Sequence, residues 1–451
     1  MARNTWEDTL MKGAFLQDKL KVLCIGDSPL VTSGFGNVMK MAVEGFQAQE
    51  NFDVYVLGCL DRYPNYDKIK KLPYHYWPPE APDPGGDSMI RRMCDEIQPD
   101  RIFMVGDPGT LTHRARNLIE NGIIGPNKHT ALVTYFPIEG LPLFPSVVNV
   151  ARVSAVAFTY CNFGVEALKE HSVESFCAYH GWNHAPFEEY TPEERAHIRN
   201  LFAIDEDLFF IGMIGVNKRT NGYPKVFEAM KYIKDHYPKE YEHIVVYIHA
   251  QRFDDNVLQG YDLRFAEEQF DVAGSFLFKP DQDTYKYNMG AYTAPTLKDH
   301  MLSMSPPDKL EERAKLWAEA SYIMRLNTFD LFLDNASVHG WNLPAMEASI
   351  CGVPVITVDD DTARSEIFGD VCYMLKPHKD AYDYWHTGVK LVHVSAEQIA
   401  HAIVDCFRNR KEYRVKYGKA AQEKFKSWTW EETQNHFTYS MTFGKPLDDT
   451  P

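Results

Sequence analysis

Short runs of apolar and β-branched residues recur along this chain. Each is followed by a polar or glycine-containing turn and then by apolar residues spaced three or four apart. In the first half the strand-like runs cover residues 21–26, 53–58, 101–106, 131–136 and 154–159. The first leads through the loop 32–37 into a helical pattern carried by Val38, Met41, Ala42 and Phe46. Strands alternating with helices at this spacing predict a parallel sheet covered on both faces, because each parallel connection must cross over and the crossing helix covers the sheet.

A Pro- and acid-rich stretch, residues 186–194, interrupts the pattern, which then restarts. Strands are predicted over 209–215, 244–249, 330–333 and 353–358, and helices over 223–235 and 310–326. A chain of 451 residues is long for a single core. Two α/β domains, 1–190 and 191–425, followed by a helical tail over 426–451 around Trp428, Trp430 and Phe437, account for the pattern. Residues 280–307, rich in Met, Tyr and Pro, look like an insertion whose role the sequence does not disclose.

Composition adds exclusions. With 45% hydrophobic and 24% charged residues the chain has the makings of a sizeable soluble core. A formal net charge of −16 does not suit nonspecific binding to nucleic acid or anionic lipid. The densest basic stretch, Arg408, Arg410, Lys411, Arg414, Lys416, Lys419, Lys424 and Lys426, has the helical spacing of a solvated face. No apolar run reaches membrane-spanning length, and the first residues lack a secretory apolar region, so a cytoplasmic protein is expected. The eight cysteines form no C-x-x-C pair and are expected to be buried, reduced thiols. Asp359, Asp360 and Asp361 follow a strand end and read as a solvated loop rather than a metal site.

The segment 337–355, SVHGWNLPAMEASICGVPV, carries the most chemistry. Gly340 permits a close backbone approach to a ligand, Pro344 suits the first turn of a helix through Glu347, and Gly352 closes that helix ahead of a buried strand. A helix start of this kind offers N–H groups to an anion such as phosphate. The segment resembles the donor-site motif of retaining family-four glycosyltransferases, E-G-F-G-L-P-x-x-E-A-x-x-x-G-x-P-V. Glu347 occupies the second acid, His339 stands at the first, and Asn342 replaces the second glycine. The resemblance implies that Glu347 holds the ribose of a nucleotide sugar, while His339, Gly340, Asn342 and Leu343 line the diphosphate and sugar.

Two further stretches are similar to that family. Residues 178–187 match the segment that ends its first domain, with His180 and Gly181 in place and Asn183 for its aspartate. His180 is as readily a structural histidine as a ligand contact. Residues 215–221 resemble the family's pyrophosphate loop, with Arg219 on a cationic position, Lys218 beside it, and Val216 and Asn221 where cations stand in the pattern. Glu366 matches a downstream acid whose neighbouring glycines are Thr362 and Ala363 here. The implied architecture is GT-B: two Rossmann-like domains with parallel sheets facing a cleft, the C-terminal helix crossing back to the first.

Breaking the bond from sugar C1 to a diphosphate develops negative charge on the leaving group, so Lys218, Arg219 and backbone N–H groups belong there. GT-B enzymes resemble one another in working without a bound metal, and none is expected here, nor any permanently bound cofactor. In the acceptor-side domain Gly34 and Gly36 form a short glycine loop between strand and helix, expected to face the donor and approach its phosphate or sugar at a helix start. With Met39 at the third glycine position it is no dinucleotide fingerprint, which speaks against a nicotinamide dehydrogenase. Glu139 and Asp107, at strand ends, are the carboxylates placed to orient or deprotonate an acceptor hydroxyl, or else to cap a helix or loop. The resemblance thus implies a retaining hexosyl- or pentosyltransferase that takes a nucleoside-diphosphate sugar, with a UDP-sugar expected. Its acceptor is a glycan, lipid or metabolite, or a hydroxymethylated base in bacteriophage-type DNA. A noncatalytic nucleotide-sugar binding protein is the alternative from another class, motivated by His339, Val216 and Asn221.

Overall fold

The computed structural model describes residues 19–31, 33–181, 187–252, 260–278, 301–309, 312–313, 320–378, 382–384 and 388–447. The chain divides into two compact units. One comprises the residues up to Ile138, Leu143–Gly181 and the segment from Trp430; the other comprises Glu139–Pro142 and Trp182–Thr429.

The first unit holds seven strands, β1 (Leu20–Asp27), β2 (Phe52–Cys59), β3 (His75–Trp77), β4 (Arg101–Val105), β5 (Ala131–Phe136), β6 (Val156–Thr159) and β7 (Phe176–Cys177). They form one sheet in the order β3-β2-β1-β4-β5-β6-β7, and every pair is parallel. Val22, Leu23, Cys24 and Ile25 of β1 are fully buried, as strands covered on both faces require. The helix Trp430–Phe443 belongs to this unit. Its Phe437 ring lies 5.1 Å from Phe103 and 4.8 Å from Tyr135, and its Gln434 donates to the Met41 carbonyl of the helix Gly34–Gln47.

The second unit repeats the design with β8 (Phe209–Ile214), β9 (Ile244–His249), β10 (Phe276–Phe278), β11 (Leu331–Leu333), β12 (Val355–Val358) and β13 (Tyr373–Leu375). The order β10-β9-β8-β11-β12-β13 is again all parallel. A short antiparallel hairpin, β14 (Tyr382–Tyr384) with β15 (Lys390–Val392), is added. In both sheets the order reverses beside the first strand, between β1 and β4 and between β8 and β11. Such switch points are where open α/β sheets bind ligands.

Several expectations change. The helix anticipated over 310–326 is not continuous: Ser321, in extended backbone, accepts from the Met324 N–H and starts a separate helix, Tyr322–Thr328. The acid-rich stretch at 186–194 ends in a helix start, a capping box between Thr191 and Glu194 ahead of Pro192–Leu201. Asp359–Asp361 is only partly a solvated loop: Asp361 is exposed, but the Asp360 carboxylate is buried against Arg364. The basic stretch is only partly a solvated face: Arg414 is largely buried near Glu189, and Lys424 pairs with Asp370. All eight cysteines are free thiols, seven buried and Cys177 half-buried. Most of the 280–307 insertion lies outside the described residues, as does Asn183. Among the described residues no helix is long and apolar enough to cross a membrane.

Candidate functional site

In the second unit the loops that leave β8 and β11 lie on either side of the switch point, and they are joined. Ser337 donates its N–H to the Thr220 carbonyl at 2.7 Å, and the Asn335 side-chain amide donates to the Gly222 carbonyl at 3.1 Å. Gly222, at φ +66°, starts the helix Tyr223–His236. A Cβ there would stand 2.4 Å from the Asn335 carbonyl oxygen, so only glycine lets the two loops approach this closely. Lys218 and Arg219 lie on the first loop and His339 and Gly340 on the second, so four sequence-predicted residues share one place.

The second loop enters the helix Leu343–Ile350 through Asn342, whose side chain accepts from the Ala345 N–H at 3.2 Å. Pro344 has no N–H to offer. The glycine expected at position 342 is therefore replaced by a residue that caps the helix. Gly352, at φ +72°, lets the chain turn into β12 as expected. Glu347 is half-buried on this helix and accepts from the Tyr322 hydroxyl at 2.7 Å. Burial pushes its carboxyl up to about 7, against a smaller downward pull from that hydrogen bond.

His339 lies with its Nε2 3.9 Å from Asp334 Oδ1. Burial lowers the imidazole to about 4; Asp334 opposes that shift, while Lys218 and Arg364 add to it. The side chain at the family's first acid is thus an uncharged imidazole at neutral pH. Burial would raise the Asp334 carboxyl, but the charges around it and a 2.7 Å hydrogen bond from Thr357 outweigh burial and hold it below the usual range. Arg219 is exposed and paired with Asp383 of β14 at 2.7 Å.

Glu139 follows β5 but belongs with the second unit. A Cβ on its neighbour Gly140 would stand 2.9 Å from Val389 and 3.8 Å from Val338, and the Leu141 carbonyl accepts from the Lys390 N–H at 3.0 Å. Glu139 is half-buried on a segment that runs beside Val338, the residue preceding His339.

The remaining candidates lie in the first unit. Asp107 is exposed and caps the helix Pro108–Glu120, accepting from the Gly109 N–H at 2.8 Å. Gly34 opens the helix Gly34–Gln47, and the Gly36 N–H donates to Ser33 Oγ at 2.9 Å. A Cβ on Gly36 would meet the Val31 and Ser28 carbonyls at 2.7 and 2.9 Å. The close approach that glycine permits is made by the chain's own turn. Ser33 Oγ in turn donates to Asp27 at 2.6 Å. His180 is buried, with Nδ1 2.6 Å from the Tyr135 hydroxyl, and burial lowers it to about 3. Burial thus keeps this imidazole uncharged at neutral pH.

Tyr322, Asp334, Asn335, Arg364 and Asp383 were not singled out from sequence. Asp334 and Asn335 directly follow β11, and their place at a strand end is the signal that could have found them. Among the described residues no group of three or more His, Cys, Asp or Glu is placed to hold a metal ion.

The two-sheet arrangement is the GT-B fold of solved glycosyltransferases. HepE from Anabaena, solved in complex with UDP-glucose, superposes with a TM-score of 0.62 at 10% identity, covering 94% of this chain and 99% of that one. Sucrose-phosphate synthase from Thermosynechococcus elongatus gives 0.63 at 11% identity, with 94% and 99% covered. A glycosyltransferase from Rickettsia africae gives 0.61 at 10%, with 95% and 99% covered. At such identities the fold is what is shared. No family model and no curated protein sequence matches the chain.

Proposed function

We propose that this chain transfers a sugar from a nucleoside-diphosphate donor, a UDP-sugar, to an acceptor hydroxyl with retention of configuration. The observation that carries this is the junction of the β8 and β11 loops. It gathers two cations, a glycine turn and a helix bearing the half-buried Glu347 at a switch point of the sheet. The GT-B fold supports it, and so does HepE, which is solved with UDP and UDP-glucose.

In this proposal Glu347 accepts hydrogen bonds from the ribose hydroxyls, with Tyr322 holding one of its oxygens. Asn342 and Pro344 satisfy or remove the first helical donors, so the diphosphate is left to the backbone of Gly340–Leu343 and to Lys218 and Arg219. Negative charge grows on the leaving diphosphate as the C1–O bond breaks, and fixed cations and N–H groups stabilise it most at that point. His339, being neutral, can donate or accept a hydrogen bond near the sugar without adding charge. Of the two proposed acceptor carboxylates, Glu139 lies on the segment beside Val338, the residue before His339, while Asp107 caps a helix of the other unit.

UDP and UDP-glucose should each raise the thermal midpoint, since a ligand bound only by the folded form stabilises it. Glu347→Ala should cut UDP affinity about ten- to a hundredfold, the worth of hydrogen bonds to a charged group. Unchanged affinity in that variant counts against the assignment. Transfer from UDP-glucose to sugars, lipids and hydroxymethylated duplex DNA identifies the acceptor.

The pairing of Arg219 with Asp383 and the uncharged His339 favour a second reading, a noncatalytic nucleotide-sugar binding protein. Binding of UDP-glucose with neither transfer nor slow hydrolysis would select it.

A further inference from the structure

The turn that carries His339 is held from beneath by one fully buried arginine. Arg364 lies in the first turn of the helix Ala363–Phe368 and has no exposed surface. Its Nη1 donates to the Ala336 carbonyl and lies 3.9 Å from Asp334 Oδ2. Its Nε donates to Asp360 Oδ2 at 3.0 Å, and Nη2 donates to the same oxygen. Asp360 Oδ1 accepts from the Thr362 hydroxyl at 2.6 Å. Asp334 Oδ2 accepts from Thr357 at 2.7 Å, and its Oδ1 accepts from the Ala336 N–H at 3.2 Å. A single guanidinium therefore links the C-terminal ends of β11 and β12 to the first residues of the loop 334–340.

Stability does not account for this arrangement. Burying ions costs several kcal/mol each, about as much as their attraction returns, and apolar side chains of equal volume often serve a core better. Two carboxylates against one guanidinium also leave the network one negative charge in excess. What the planar fork supplies, and an apolar contact cannot, is direction. It fixes the Ala336 carbonyl, one residue before Ser337, whose N–H makes the junction with Thr220.

We propose that Arg364 is a positioning residue for the diphosphate: through Ala336 and Asp334 it sets where the turn 337–340 presents its backbone and His339 to the donor. This rests on the donor-site assignment of the preceding subsection. The ribose is assigned to Glu347 and not to the turn that Arg364 holds, so Arg364 matters for the second phosphate and not for the nucleoside monophosphate portion.

The test is the ratio of UDP to UMP affinity by calorimetry in Arg364→Lys, with Ile233→Val, a core change in the same unit, as a stability control. Lysine keeps the charge but cannot reach Ala336 and Asp360 together. The expected result is UDP weakened about tenfold, the worth of a charge-assisted hydrogen bond, with UMP within about twofold of the wild type. Equal loss for both ligands, or no loss for either, overturns the proposal, because general loosening lowers both alike. Should Arg364→Lys fail to fold, Asp360→Asn combined with Arg364→Met makes the same test, since it removes the link and keeps the net charge of the network. Wild-type protein that does not bind UDP sinks the donor-site assignment itself; wild-type binding with an unchanged ratio in the variants sinks only the role of Arg364.

Discussion

The Tyr322 hydroxyl donates to Glu347 Oε2 at 2.7 Å, from the start of one short helix to the middle of another. Burial raises the Glu347 carboxyl to about 7, and this hydrogen bond pulls it down. A raised carboxyl stabilises the unliganded fold below its unfolded value and withdraws that contribution as pH rises through about 7. Ribose hydroxyls, in contrast, need the carboxylate. UDP-glucose affinity is therefore expected to strengthen as pH rises through neutrality, while the stability of the free protein declines over the same window. Tyr322→Phe should move both midpoints upward, read from UDP-glucose calorimetry and thermal midpoints from about pH 5.5 to 8.5. UDP-glucose is the right probe because a terminal phosphate titrates at about pH 6 and would confuse the profile. His339, lowered to about 4, stays neutral throughout. A flat profile for the wild type removes Glu347 from donor binding.

Arg219 and Asp383 form an exposed pair, with side chains 61% and 51% accessible. Exposed pairs contribute about 0–1 kcal/mol, so a diphosphate with more charge can displace the carboxylate. Asp383→Asn should leave the thermal midpoint nearly unchanged and tighten UDP binding a few-fold at low salt, an advantage that fades as salt screens the site. Arg219→Ala should weaken UDP in either background. If Asp383→Asn weakens UDP instead, Asp383 holds Arg219 in place for the ligand rather than competing with it.

Asp330 centres a second ion cluster, and breaking it should cost stability without touching the proposed donor site. It accepts from Arg195 at 2.7 Å, from Arg199 at 3.0 Å and from the Phe210 N–H at 2.9 Å. Arg199 is buried, and Asp330→Ala leaves its charge without that carboxylate. A loss of about 3–5 kcal/mol is expected from a broken buried pair. Denaturant unfolding should show it, with UDP affinity of the folded protein unchanged. A loss under about 1 kcal/mol would mean that solvent reaches the cluster and screens it.

The strands were legible because covered parallel strands are continuous apolar runs, and residues 21–25 or 355–358 admit little else. The site loops were legible because glycine, asparagine and cations collect where those runs end. What escaped were contacts that the folded chain makes and the local pattern does not announce. Asp360 looked like part of an acidic loop, and only the fold brings Asp334 to the arginine four residues beyond it. Tyr322 lay inside an anticipated helix whose periodicity concealed the cap at Ser321. The Asn342 substitution looked like a lost glycine, yet its side chain caps the helix.

Gly222 concentrates the geometry of the site in one position. Its φ of +66° belongs to the left-handed region, and a Cβ would meet the Asn335 carbonyl oxygen at 2.4 Å and its amide nitrogen at 2.8 Å. The first effect alone costs a non-glycine residue on the order of 1 kcal/mol. The second adds a clash with backbone that cannot rotate away. The loops can relieve it only by parting, which lengthens the Ser337 to Thr220 and Asn335 to Gly222 hydrogen bonds and moves Lys218 and Arg219 away from the His339 turn. Gly222→Ala should therefore lower stability by about 2 kcal/mol or more and weaken UDP beyond what partial unfolding explains. Calorimetry well below the melting transition separates the two effects. A folded Gly222→Ala protein with wild-type UDP affinity would mean that the two loops do not form one site.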